Sequence, residues 1–238
     1  MAAAFLPARL RDALTRVTPL RSVWHLGLTI ADHAQARPAC AAAECEDTYR
    51  KGRDPWHYAS AEQQARFRRA LALIDGAFGG RTDLQALEIG CGEGAFTALL
   101  ADRCRRLVAA DASPTALERA RARVGARPNL EFRRLDVLQD GLGSGYDLIL
   151  LDHLIDMFGR RSIYRDIASR IAAALAPEGR ALIGAMRAFE FAERSWWSPL
   201  VLRGGVAILD WIGRRTALEP LTTVTESFYS YTLFRRRA

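Results

Sequence analysis

Leu87-Glu88-Ile89-Gly90-Cys91-Gly92-Glu93-Gly94 is the stretch on which the reading of this chain turns. The apolar run that leads into it, residues 84–90, has the length of a short buried strand, and residues 94–104 read as a helix. Glycines at 90, 92 and 94 let the backbone turn tightly and let a ligand approach with no Cβ in the way. A glycine-rich strand-to-helix turn also opens dinucleotide-binding folds, through G-x-G-x-x-G or G-x-G-x-x-A. Counted from Gly90, that pattern ends on Ala95 and is formally satisfied, so the glycine spacing alone does not choose. The fuller form E-x-G-x-G-x-G tilts the balance, because the dinucleotide pattern requires neither the leading Glu88 nor the third glycine, Gly94.

Working outward, the next strand (106–111) closes on Asp111, followed by Ala112. An acidic side chain there can accept hydrogen bonds from both ribose hydroxyls of an adenosine. The third strand (130–136) ends in Leu135-Asp136-Val137, where Asp136 can accept from an adenine amino group. The fourth, Tyr146-Asp147-Leu148-Ile149-Leu150-Leu151-Asp152, delivers Asp152 and then His153 and Asp156. Ligands of open α/β sheets bind beyond the carboxyl ends of the strands, so one glycine turn and three strand-end aspartates would share a rim.

The remaining segments fit that frame. Phe67, Leu71, Ile74 and Phe78 form one apolar face of a helix over 60–78 that Gly79-Gly80 stops. Ser113-Pro114 opens a helix to Val124. Ile163, Ile167, Ile171 and Leu175 mark a helix over 160–176, and Pro177-Glu178-Gly179 turns into a strand over 180–186. Strands alternating with helices predict a mainly parallel sheet covered on both faces. Residues 196–213 read as a helix, and 221–228 with 229–234 as an antiparallel hairpin at the sheet edge. Residues 1–58 stand apart as a helical cap or lid, with 59–238 as the ligand-binding α/β domain. The 3.6-type spacing of Leu6, Leu10, Leu14 and Val17 suits packing on the domain better than a helix on a membrane surface.

With 238 residues, 50% hydrophobic and 26% charged, the composition is that of a soluble globular protein and excludes fibrous or wholly disordered chains. No apolar run reaches the ~18 residues of a membrane span. The net charge of +7 comes almost wholly from arginine, since Lys51 is the lone lysine. Those arginines are spread along the chain as a solvated basic surface rather than a nucleic-acid groove. Four cysteines, at 40, 45, 91 and 104, are too few for a disulfide scaffold and too poorly spaced for zinc, so no metal is expected and a reducing cytoplasm is the default.

Together these residues resemble the class I S-adenosylmethionine-dependent methyltransferases. Leu87 to Phe96 is similar to that family's first motif, Asp111 to its ribose acid, Asp136 to its adenine-side acid, and residues 146–154 to its fourth motif. The resemblance implies a Rossmann-like seven-stranded, mainly parallel sheet with an antiparallel last strand, helices on both faces and an N-terminal helical lid. It implies S-adenosyl-L-methionine as cofactor, held by Glu88, Gly90, Cys91, Gly92, Gly94, Asp111, Ala112, Asp136, Val137 and Asp152. Asp54-Pro55-Trp56, Ser60 and Arg66-Phe67 resemble the NodS-like N-methyltransferase subgroup, although Ala61-Glu62 stands where a Tyr-Glu pair would be. By that analogy Trp56 and Tyr58 cover the site from the lid, while Arg187, Trp196 and Trp197 line the acceptor side.

The expected reaction is methyl transfer to N or O of a small molecule, as in specialised metabolism. His153 is the candidate base, with an ordinary pKa near ~6.5, and Asp152 its orienting partner or a seat for the methionine ammonium. The alternative reading is an enzyme whose only substrate is S-adenosylmethionine, cyclising the methionyl chain to azetidine-2-carboxylate with release of methylthioadenosine. No N/D-P-P-Y/F or Pro-Cys segment marks nucleic acid as substrate. Residues 26–30 and 201–212 could contribute to a homodimer.

Overall fold

The computed structural model describes residues 42–158, 161–186, 205–226 and 229–237. The strands are β1 (Leu84–Ile89), β2 (Cys104–Asp111), β3 (Leu130–Arg134), β4 (Tyr146–Asp152), β5 (Leu175–Met186), β6 (Leu218–Thr225) and β7 (Tyr229–Arg236). They form one seven-stranded sheet in the order β3-β2-β1-β4-β5-β7-β6. Pairings from β3 through β5 are parallel, and β7 runs antiparallel to both β5 and β6. The terminal hairpin therefore sits as expected, with the last strand inserted between β5 and the edge strand β6. Chain order reverses between β1 and β4, which opens a crevice at their carboxyl ends.

The helices are α1 (Ala42–Lys51), α2 (Ala61–Phe78), α3 (Thr97–Leu100), α4 (Pro114–Val124), α5 (Arg161–Ala174) and α6 (Gly205–Arg215). Ser60 caps α2 by accepting from the Gln63 N–H at 3.3 Å, and Gly79 ends it in the left-handed region at φ 61°. Phe67, Leu71 and Ile74 bury the face of α2 that packs on β1, β2 and β7 residues such as Leu84, Leu107 and Tyr231. Ser113 caps α4, with Pro114 in its first turn. On the other face of the sheet, Ile167 and Ile171 of α5 and Ile208 and Ile212 of α6 pack on Leu87, Ile149, Ile183 and Phe234. Each such side chain, fully buried, is worth roughly 1.5–3 kcal/mol relative to exposure.

Three segments depart from the sequence reading. The helix expected over 94–104 contracts to α3 and a 3-10 turn (Ala101–Arg103), and Cys104 already begins β2. Cys104 and Leu107 to Asp111 are buried in the sheet between β1 and β3, with Arg105 and Arg106 exposed. β3 ends at Arg134, so Asp136 lies beyond it in the following turn. β5 starts at Leu175, before the expected turn, and absorbs Pro177-Glu178-Gly179 as an irregularity. Partners jump from Tyr146↔Leu175 to Leu148↔Arg180. Among the described residues no helix is long and apolar enough to cross a membrane. Cys91 and Cys104 are buried free thiols, while Cys45 on α1 is disulfide-bonded.

Candidate functional site

The carboxyl ends of β1, β2 and β4 and the turn after β3 surround a cavity of about 520 Å³ that α1 and the turn 52–60 cover. Its wall includes Glu88, Gly90, Cys91, Asp111, Ala112, Asp136, Val137, Asp152 and His153, with Trp56 and Tyr58 from the cover. The structure thus brings together most of the residues singled out from sequence. Gly92 and Gly94 lie behind the wall. Gly94 packs against Ala120 and Val124 of α4. Gly92, at φ 54°, leaves the space into which the hydroxyls of Tyr49 and Tyr58 reach, and a Cβ there would collide with both. Arg187, Trp196 and Trp197, and the acceptor side expected from them, lie outside the described residues, as do 1–41 of the expected lid.

Asp111 is fixed from two directions. One carboxylate oxygen accepts the Gly92 N–H at 2.9 Å and the other the Ser113 N–H at 2.9 Å. The carboxylate retains acceptor capacity toward the cavity beyond these backbone bonds. Burial pushes its pKa up, and the backbone donors from Ser113, Gly92 and Ala112 oppose that. Glu88 is buried beneath the glycine turn and accepts from the Thr97 hydroxyl at 2.6 Å. Burial raises its pKa to about 8, so the carboxyl is protonated at neutral pH in the free protein. Asp136 accepts from the Leu138 N–H at 2.9 Å and the Gln139 amide at 2.9 Å, so the turn after β3 is held by its own side chain.

Asp152 is committed to a network that the sequence did not reveal. Arg66 of α2 forms a buried ion pair with it, and the Tyr231 hydroxyl of β7 donates to it at 2.7 Å. Arg66 also donates to Tyr231 at 3.3 Å and, through Nε, to Gln63 at 2.6 Å. Burial alone would raise the Asp152 pKa, but Arg66, His153 and Tyr231 outweigh it and hold the carboxyl below its ordinary value. Gly184 makes the approach possible, because a Cβ there would strike both the Tyr231 ring and the Asp152 carboxylate. The signal for Arg66 was a buried position on an otherwise apolar helical face, which α2 shows at 6% exposure.

His153 adopts φ 52°, a conformation that costs energy for a residue with a Cβ, and its N–H donates to Gly184 O at 3.0 Å. Its Nε2 stands 3.8 Å from Asp152 and has no hydrogen-bond partner among the described residues. Burial drives the imidazole pKa down to about 4. The ring is therefore neutral at physiological pH, and a weaker base than its ordinary value implied.

The cover is docked by polar contacts that no motif announced. Glu46 of α1 accepts from the Ser113 hydroxyl at 2.7 Å, the Thr115 hydroxyl at 2.6 Å and the Thr115 N–H at 3.2 Å, at the N-terminus of α4. Arg119 of α4 reaches back to Gly52 O at 2.7 Å and to Glu93 at 2.8 Å, and Glu93 also accepts from the Asp54 N–H at 3.2 Å. The Trp56 indole donates to the Tyr49 hydroxyl at 3.1 Å, which tucks the cover over the glycine turn.

Residues 43–210 match the family model of nodulation protein S. Nodulation protein S of Bradyrhizobium diazoefficiens is 32% identical over 142 residues, 56% of this chain and 63% of that relative, so the match spans less than two thirds of the relative's length. Nodulation protein S of Azorhizobium caulinodans is 29% identical over 171 residues, 71% of this chain and 79% of the relative. The crystal structure of the N-methyltransferase NodS of Bradyrhizobium japonicum, solved with S-adenosyl-L-homocysteine, superposes with a TM-score of 0.66. It is 23% identical and covers 82% of this chain and 99% of that one. The fold is accordingly the Rossmann-like class I methyltransferase fold, and the chain belongs to the nodulation protein S family.

Proposed function

We propose that the protein is an S-adenosylmethionine-dependent methyltransferase that transfers the methyl group to a nitrogen of a small molecule. The observation that carries the reading is Asp111, a buried carboxylate in the cavity wall, fixed by backbone N–H groups and with acceptor capacity left, beside a glycine turn with no side chain in the way. Family membership and the N-methyltransferase activity of the Bradyrhizobium japonicum relative support the N-directed choice over oxygen. None of these comparisons favours the cyclisation alternative.

The donor set fits an adenosyl cofactor. Asp111 would accept the ribose hydroxyls, Asp136 and Val137 would flank the adenine, and Gly90 and Cys91 would lie along the chain between ribose and sulfur. Arg66 and Gln63, at the opposite wall, would face the methionyl carboxylate. When bound, the cofactor supplies an electrophilic methyl group on a sulfonium whose departure leaves a neutral thioether. Little acid catalysis is then needed, and the residues mainly align the acceptor and exclude water. Residues 42–58 serve as the lid, with Tyr49, Trp56 and Tyr58 closing the cavity. The cytoplasm is the fitting location, because this cofactor is an intracellular metabolite. A partner beyond the small-molecule acceptor is not required.

The test is incubation with methyl-labelled S-adenosylmethionine and a pool of small amines, read by mass spectrometry. Label appearing on amine nitrogen, in step with S-adenosylhomocysteine, is the expected result. Label found on oxygen, or no transfer by protein that binds the cofactor, would contradict the reading.

A further inference from the structure

Glu88 lines the cavity at 3% exposure, between two other carboxylates. On the central strand β1 it stands opposite Ala109 of β2 and Leu150 of β4, two residues short of Asp111 on one side and of Asp152 on the other. Its Oε2 accepts from the Thr97 hydroxyl at 2.6 Å. Its Oε1 has no hydrogen-bond partner among the described residues. Unlike His153 Nε2 and Asp156 Oδ1 it is not sealed off, so it meets the cavity that Glu88 lines. A carboxyl oxygen held in a buried wall without a donor points to a ligand that brings one.

The titratable groups that face Glu88 are Asp152 of β4, Asp111 and Cys104 of β2, and Cys91 of the glycine turn. None of them is a cation, and burial raises both thiols so that they stay neutral. Arg66 of α2, the arginine of the cavity wall, is bound to Asp152. Burial raises the Glu88 carboxyl to about 8; Thr97 opposes the rise, while Asp152 and then Asp111 add to it. A cation brought against Glu88 reverses that balance, because an opposite charge favours the ionised form.

We propose that Glu88 ionises as the cofactor binds: its Oε1 accepts an N–H of the methionyl ammonium, the carboxyl proton passes to solvent, and each binding event releases one proton. This rests on the methyltransferase reading and adds to it a proton that the cofactor displaces. The ammonium is the cation in reach. It shares a carbon with the carboxylate that Arg66 and Gln63 would face, and Asp152, the partner of Arg66, acts on Glu88 more strongly than Asp111 does. No covalent bond of the cofactor changes; an O–H proton leaves to water and an ion pair takes its place. Below about 8 the free protein has to give up this proton before it can pair, and above that it is already a carboxylate. Binding therefore strengthens as pH rises from 6 and flattens past about 8.

The experiment is calorimetric titration of S-adenosylhomocysteine, which carries the ammonium and no sulfonium, into the full-length protein. At pH 7 it is run in phosphate and in Tris, whose ionisation enthalpies differ, so that the difference in heat counts protons. The wild type should release close to one proton per site, and its affinity should rise about tenfold from pH 6 to pH 7. Glu88→Gln keeps an acceptor for Thr97 and cannot ionise. It should release almost no proton, bind about equally at pH 6 and pH 8, and fall about tenfold or more below the wild type at pH 8 while approaching it at pH 6. A merely structural role for Glu88 would weaken binding by the same factor at every pH. Thr97→Val removes the one bond that favours the carboxylate and should move the rise in affinity to higher pH, which tests the proposal even if Glu88→Gln fails to fold. Binding by the wild type with no proton released, or the same release from Glu88→Gln, would overturn the proposal while the cofactor site stands. Failure of the wild type to bind S-adenosylhomocysteine at any pH would overturn the methyltransferase reading, and the proton exchange with it.

Discussion

Glu88 has no charged partner within the turn it supports, only the Thr97 hydroxyl, and burial raises its pKa to about 8. The folded state therefore binds a proton that the unfolded state, with a carboxyl near its ordinary value of 4.5, releases as pH rises. Stability from this group is fully present below the unfolded pKa and is lost as pH climbs toward about 8. Thermal unfolding of the cofactor-free wild type should fall across that window. Glu88→Gln, which keeps the bond to Thr97 without a titrating proton, should flatten the decline and gain on the order of 1 kcal/mol near pH 8, about 2–4 °C in melting temperature. Parallel pH profiles for the two proteins would contradict the assignment. At this scale the sequence was most legible where the chemistry is local. Gly90, Asp111 and Asp152 come from contiguous strand-turn signals, and all three line the cavity. Arg66 and Tyr231 were not legible as partners of Asp152, because 86 and 79 residues separate them from it and only the folded sheet brings them together.

At the scale of elements, α1 owes its position to Glu46 at the N-terminus of α4. The Thr115 and Ser113 hydroxyls hold the Glu46 pKa below its ordinary value. A depressed carboxyl contributes docking energy above its unfolded pKa and loses it as pH falls through the folded one. Glu46→Ala should therefore loosen the cover and speed dissociation of S-adenosylhomocysteine severalfold by stopped-flow, with circular dichroism unchanged. An unaltered off-rate would show that α1 does not gate the cavity. The misread element boundaries have local causes. The helical run after Gly94 closes on a 3-10 turn so that Cys104 already begins β2, and the Asp136 turn is stabilised by Gln139 and Leu138 rather than by the sheet. α1 itself carries no motif in sequence, since Glu46 and Tyr49 acquire meaning only against α4 and Gly92.

For the whole molecule, the Arg66–Asp152–Tyr231 network ties α2, β4 and β7 together at the crevice where chain order reverses. Arg66 and Asp152 have side chains only 7% and 10% exposed, so removing one strands a buried charge. Asp152→Ala should cost about 3–5 kcal/mol in denaturant unfolding, whereas Asp136→Ala, in a half-buried turn with no ion pair, should cost far less. Similar losses in the two variants would argue against the network as a structural joint. The sheet was legible as a whole because strand and helix periods alternate cleanly from β1 to β5, and because two late strands with no helix between them leave only a hairpin at the edge. The cover's docking depends on non-local contacts and lay beyond that reading.

The proposed function makes Asp111 the anchor of an adenosyl cofactor. Calorimetric titration of S-adenosylhomocysteine into wild type and Asp111→Ala tests this most directly. The account predicts binding by the wild type and a loss of about a hundredfold or more in the variant, the worth of two charge-assisted hydrogen bonds, with the variant still folded by circular dichroism. Equal affinity in the two proteins would contradict it.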